Sequence, residues 1–121
     1  MKIDLRPTAA KLRPALDRFL GLAGAKILDL ERRWDPARGT PVFTCAGRYT
    51  ARGWTEWTQG FQYGCAVLFF DMTGDQTFLE LGRRHTVGRM APHLSHVGVH
   101  DHGFNNISTY GNLRRLMLEG R

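Results

Sequence analysis

The stretch over residues 58–72, TQGFQYGCAVLFFDM, most constrains what this chain can fold into. Phe61, Cys65, Leu68 and Met72 recur at three- and four-residue steps, and Tyr63, Ala66, Val67 and Phe70 leave the other side apolar as well. A helix that is apolar nearly all round has to be covered on nearly all sides, so the spacing predicts an inner helix packed among others. Gly60 and Gly64, four apart, remove two Cβ atoms from one strip of its first turns and let another backbone approach closely.

The flanking patterns are amphipathic. Over 8–33, Leu12, Leu16, Phe19, Leu20, Ala23, Ile27 and Leu30 form one helical stripe, with Arg13, Asp17, Arg18 and Lys26 on or near the other side. Pro14 is expected to weaken the start of this helix, and Gly21 with Gly24 to break it. Thr73-Gly74-Asp75 reads as a stop and a start, because Gly74 suits a left-handed residue after a helix and Asp75 a helix N-cap. Residues 76–90 then place Phe78, Leu79, Gly82, Thr86 and Met90 on one face, and 106–119 place Ile107, Tyr110, Leu113, Leu116 and Met117 at helical steps. Between the first helix and the inner one, 34–57 has no sustained period and carries Pro36, Gly39, Pro41, Gly47 and Gly53. That predicts a long loop, with a short strand at most at Pro41-Val42-Phe43-Thr44. The expected fold class is therefore all-α, with outer and inner helices alternating and the long loops gathered at one end, as in helical toroids and solenoids.

Composition sets the outer limits. The 121 residues are 42% apolar and 23% charged, which fits one globular domain at most and argues against disorder of the whole chain. The formal charge of +6 comes almost entirely from arginine and is scattered, so no nucleic-acid partner is expected. Cys45 and Cys65 form no CxxC pair and read as free, mostly buried thiols. Residues 1–7 contain no continuous apolar h-region and no apolar run reaches membrane-spanning length, so neither a leader nor a membrane partner is expected and the anticipated location is cytoplasmic.

The chemistry-bearing stretch is SHVGVHDHGF at 95–104, with three histidines, a carboxylate and two glycines just before the last helix. Asp101 could be an ordinary N-cap and His100 an ordinary loop histidine bonded to backbone. His93, His96, His100 and His102 invite a metal, but their spacing matches no structural zinc signature, no cysteine lies nearby, and Gly98 interrupts the helix that would bring His96 and His100 to one face, so no metal is expected. Trp34 reads as packing. Trp54 and Trp57, which close the long loop, could pack or stack on a sugar ring. Phe61, Phe69, Phe70 and Phe78 read as core, and Arg83, Arg84, Arg114 and Arg115 as solvated helix faces.

Taken in order, Trp57-Thr58-Gln59-Gly60-Phe61, Gly64, Thr73-Gly74-Asp75, Phe78-Leu79 and His100-Asp101-His102-Gly103-Phe104 resemble the first part of the unsaturated glucuronyl hydrolases (glycoside hydrolase family 88) and the related unsaturated rhamnogalacturonyl hydrolases. The resemblance implies an (α/α)6 barrel of which residues 1–121 would be a partial, N-terminal segment, expected to self-associate if it stands alone. It also implies an oligosaccharide substrate, no cofactor, and removal of an unsaturated uronic acid from a non-reducing end. In that chemistry an aspartate protonates the C4–C5 double bond, water adds at C5, and the hemiketal opens to release the sugar. Asp101 matches the motif aspartate and is the expected catalytic residue; His100 and Trp57 match positions that contact or wall the sugar, with Trp54 and His102 beside them. His102 stands where the family usually has Leu or Ile, Asn105-Asn106 replace more apolar residues, and a second aspartate, which the resemblance makes the stronger candidate for the general acid/base and leaves Asp101 to contribute to the chemistry or to substrate binding, would lie beyond Arg121. The rival reading is a non-catalytic helical module that binds a carbohydrate or another protein.

Overall fold

A computed structural model describes residues 6–121; residues 1–5, most of the stretch read above for an h-region, lie outside the described residues. The chain is mostly helical with one small hairpin. Helix α1 (Ala9–Arg33) begins where the Thr8 hydroxyl accepts the Lys11 N–H at 3.3 Å and runs unbroken through Gly21 and Gly24. Pro14 forfeits one helical hydrogen bond on a wholly exposed stretch, where water can serve the freed carbonyl. Gly24 does not break the helix; it seats the Phe69 ring, whose Cζ would lie 2.7 Å from an added Cβ.

The expected long loop is instead a short 3₁₀ turn (Pro36–Arg38) and an antiparallel hairpin, β1 (Thr40–Cys45) and β2 (Arg48–Arg52). Thr40 pairs with Arg52 and Cys45 with Arg48, and the register slips between Pro41 and Thr44. Ala46 and Gly47 turn the chain with φ of 49° and 74°, the positive values that a tight two-residue hairpin turn demands. Most of the hairpin is exposed, so neither strand carries the apolar alternation by which a strand is recognised.

Helix α2 (Thr58–Thr73) lies at the centre and α3 (Gln76–Arg89) packs beside it. The turn between them is as read: Gly74 adopts φ 76° with its N–H on the Phe70 carbonyl, and the Asp75 carboxylate accepts the Thr77 N–H at 3.0 Å. Ala66, Val67, Phe69 and Phe70 meet Phe78 and Leu81 of α3 and Leu116 near the C-terminus to form the core, with Leu20, Ala23, Ile27 and Leu28 of α1 packed at its edge. The stripe Phe61, Cys65, Leu68 and Met72 is the side of α2 that remains open: Phe61, read as core, is 39% exposed and Met72 56%. Cys45 and Cys65 are free as expected, but both are exposed.

The last helix starts earlier than its apolar period suggests. It begins at His102 and runs over 102–118 as α4 (His102–Asn106), one π-helical turn (Ile107–Gly111) and α5 (Asn112–Leu118). Thr109 Oγ1 donates to the Asn105 carbonyl at 2.6 Å and Asn112 Nδ2 to the Ser108 carbonyl at 3.1 Å, so side chains serve carbonyls in the widened turn. The starts of α2 and α4 meet at one end of the molecule.

Candidate functional site

The start of α2 and the stretch from Phe104 to Ser108 dock on each other through bare glycine backbone. A Cβ on Gly60 would collide with the Asn105 Cα and the Phe104 carbonyl, and one on Gly64 with Ser108 in the π-helical turn. The Gly60 N–H donates to Asn105 Oδ1 at 2.7 Å across 45 residues of sequence. Above this contact three rings close together: Trp57 to Phe61 at 5.5 Å, Trp57 to Phe104 at 5.8 Å and Phe61 to Phe104 at 5.8 Å between centroids. Each ring is partly exposed, so they form an aromatic wall open to solvent.

Beside the wall, His100, Gly103, Phe104, Ile107 and Ser108 line a shallow cleft of about 340 Å³. Asp101 occupies the N-cap position of α4, yet its side chain makes no capping hydrogen bond. Among the described residues its carboxylate faces His100, Nε2 to Oδ1 at 3.4 Å, with 29% of the side chain exposed. His100 is almost wholly exposed. The ordinary N-cap role for Asp101 is therefore not taken up; neither Asp101 nor Trp57 is among the residues that line this cleft.

His102 has a different position from His100. It is buried, with Nδ1 3.1 Å from His93 Nδ1 and Nε2 2.7 Å from His96 Nδ1, so both ring nitrogens are engaged within the protein. His93 also meets Gln59 Oε1 at 2.9 Å and Asn105 Nδ2 at 3.2 Å. Trp54 packs against this polar box with its ring plane steeply inclined to both imidazoles, centroids 5.2 Å from His93 and 5.1 Å from His96. Three of the four histidines weighed for a metal thus do gather, but His102 offers a different nitrogen to each neighbour, and a chain of that kind does not converge on one ion. No group of His, Cys, Asp and Glu suited to a metal occurs among the described residues.

A second constellation went unread because its parts are far apart in sequence. His85 Nε2 lies 2.8 Å from Glu31 Oε2, and Arg84 reaches Glu31 Oε1 at 2.7 Å, so Arg84 is not merely solvated. Tyr63 stacks on His85 at 4.5 Å, 8° from parallel. Burial holds the His85 ring below the ordinary histidine value despite the carboxylate, and burial likewise raises the Tyr63 hydroxyl. Both line a groove of about 820 Å³ between α1, the hairpin and α2. The groove is larger than the cleft by His100, but Asp101, His100, His102, Trp54 and Trp57 are not among its lining residues. Trp34 is packing, as read, with its indole N–H on the Gly39 carbonyl at 2.9 Å. No helix among the described residues is long and apolar enough to cross a membrane.

Compared with protein-family models, with curated proteins and with solved structures, the chain matches none.

Proposed function

We propose that this chain carries part of the active site of a glycoside hydrolase acting on unsaturated uronyl oligosaccharides. The observation that carries the reading is Asp101: a carboxylate at a helix start, uncommitted to capping, partly shielded, and three residues before Phe104 of the aromatic wall that two segments 45 residues apart build. The role of Asp101 is to hold the proton destined for the C4–C5 double bond or to position the uronyl ring for it. His100 lies within ion-pair reach of that carboxylate and lines the cleft, so it can bond a sugar hydroxyl or the uronate. Trp57 and Phe104 offer ring faces for stacking.

The finer architecture belongs to the same proposal. In an (α/α)6 barrel the open stripe of α2 and the exposed Ile107, Met117 and Leu118 would be covered by neighbouring helices, or in the chain alone by self-association. The test follows the ultraviolet absorbance of an unsaturated uronyl disaccharide, using this chain and any longer product of the same reading frame, with Asp101→Asn as control. Loss of the chromophore that Asp101→Asn abolishes supports the reading. Sugar binding without turnover in every product would move the assignment to a non-catalytic carbohydrate-binding module, and neither binding nor turnover would refute both.

A further inference from the structure

The first half of α1 is a helix that the rest of the described chain leaves uncovered. Residues 6–19 are all exposed, whereas Leu20, Ala23, Ile27 and Leu28 in the second half pack at the edge of the core. A helical stretch of about a dozen residues is marginal in water on its own, so a surface that covers this half stabilises it.

The uncovered half is amphipathic in a particular way. At about 100° per residue, Leu22, Phe19, Leu12 and Leu16 fall in that order across an arc of about 120°. Each of the four is between 46% and 56% exposed. The arc is centred about 100° round the helix from the side that Leu20, Ala23, Ile27 and Leu28 turn to the core, so a flat surface laid on it passes beside the body of the protein. Arg13 borders the arc on one edge and Lys11 and Arg18 border it on the other, while Lys26 follows two turns after Phe19. Asp17 is the one acid over residues 8–28, and Arg13 Nε holds it at 2.8 Å. Pro14 and the Ala10 carbonyl that it leaves without a helical partner lie on the side opposite the arc, where water reaches them.

We infer that the first half of α1 is an interfacial helix, laid in the plane of an anionic lipid surface. Leu12, Leu16, Phe19 and Leu22 enter the boundary between headgroups and acyl chains, and Lys11, Arg13 and Arg18 extend along the edges of the arc to lipid phosphates. The absence of a spanning run, on which the expectation of no membrane partner rests, does not bear on a helix that lies flat. Charge selects this occupant over the others. A second copy laid on the same face would bring Lys11, Arg18 and Lys26 against their own counterparts, with only the already paired Asp17 to offset them. A nucleic acid would match the cations but leave the four apolar side chains in water. An anionic bilayer satisfies both, and the formal charge of +6 on the whole chain draws it there.

This inference stands apart from the hydrolase reading, and its test needs no sugar. The unmodified chain is sedimented with vesicles of about three parts phosphatidylcholine to one part phosphatidylglycerol, and with phosphatidylcholine alone. Binding to the anionic vesicles should be at least about tenfold tighter and should weaken as salt rises, because each basic residue at such a surface is worth about fivefold. Phe19→Gln changes no charge and removes one apolar anchor, so it should weaken binding by about tenfold or more. Val87→Gln, on the exposed side of α3, should leave binding within about twofold, since Val87 lies outside the arc. All three chains should keep the same circular dichroism, because both altered side chains are exposed. No binding to anionic vesicles, equal binding to neutral ones, or binding that Phe19→Gln leaves intact would each overturn the interfacial helix. A concentration-dependent dimer in sedimentation velocity that Phe19→Gln dissociates would overturn it as well and give the face to a second copy. Loss or presence of uronyl turnover changes none of these outcomes.

Discussion

Replacing Gly60 and Gly88 by alanine, one at a time, should move stability in opposite directions. Both are helical glycines, so each alanine gains up to about 1 kcal/mol in helix propensity. An alanine Cβ at Gly88 meets nothing within 4 Å, and Gly88→Ala should therefore stabilise by about that amount. At Gly60 the new Cβ would run into backbone, the Asn105 Cα and the Phe104 carbonyl, and backbone cannot rotate aside as a side chain can. The helices must part, at about 1–3 kcal/mol for overpacking, and the buried Gly60 to Asn105 hydrogen bond is stretched or lost at about 1–3 kcal/mol more. Set against the propensity gain, the net is a loss of about 3 kcal/mol, or about 10 °C in melting temperature for a domain of this size. Urea denaturation at pH 7 gives both values, and the Trp54 and Trp57 emission reports whether the aromatic wall has opened. A Gly60→Ala chain as stable as Gly88→Ala would refute the backbone contact on which the site is built.

Three further outcomes follow from particular side chains. The folded chain favours a neutral His85, whose value burial lowers, so the stability tied to it is present above the ordinary histidine value of 6.5 and lost as pH falls below it. His85→Phe, which keeps the stack on Tyr63, should flatten the decline in melting temperature between about pH 7 and 5. Asp71 is held below the ordinary carboxylate value of 3.8 chiefly by the Arg115 hydrogen bond, with Arg121 also bonded to it, so its contribution persists above 3.8 and disappears as pH falls through the lowered value. Asp71→Asn should lower the melting temperature at pH 7 and make the acid limb below pH 3.8 shallower. Both thiols are exposed and should react with Ellman's reagent without denaturant, Cys65 more slowly because the apolar neighbours that partly desolvate it raise its thiol; reaction only after unfolding would contradict their exposure.

The sequence was most legible where its signals are local. The TGD turn announces itself through Gly74 and Asp75, and α3 through a period that needs no partner to be seen. Gly60 and Gly64 announced a close backbone approach, though not that Asn105 and Ser108 would make it. The hairpin was hidden because Ala46-Gly47 lacks the Asn-Gly or Asp-Gly signal and because exposed strands show no alternation. The period of α2 marked two apolar sides without saying which one the chain itself covers, and the core formed on Ala66, Val67 and Phe70 and left Phe61 and Met72 outside. Asp101, His100 and Trp57 were legible as candidates from short motifs. That His102 turns inward while His100 turns outward depends on the helix starting at His102, where Gly98 and Gly103 had suggested a loop. Glu31 and His85, 54 residues apart, meet only in the folded chain.

The central claim is that ligand recognition belongs to the end where α2 and α4 meet, and not to the larger groove between α1 and the hairpin. Titrating ¹⁵N-labelled chain with an unsaturated uronyl disaccharide and mapping the shifted amide and indole signals tests this most directly. Shifts are expected at Trp57, at His100 and Asp101, and at Gly103 and Phe104, with Asp101→Asn weakening the response. Shifts confined to Tyr49, Tyr63 and His85 would contradict it.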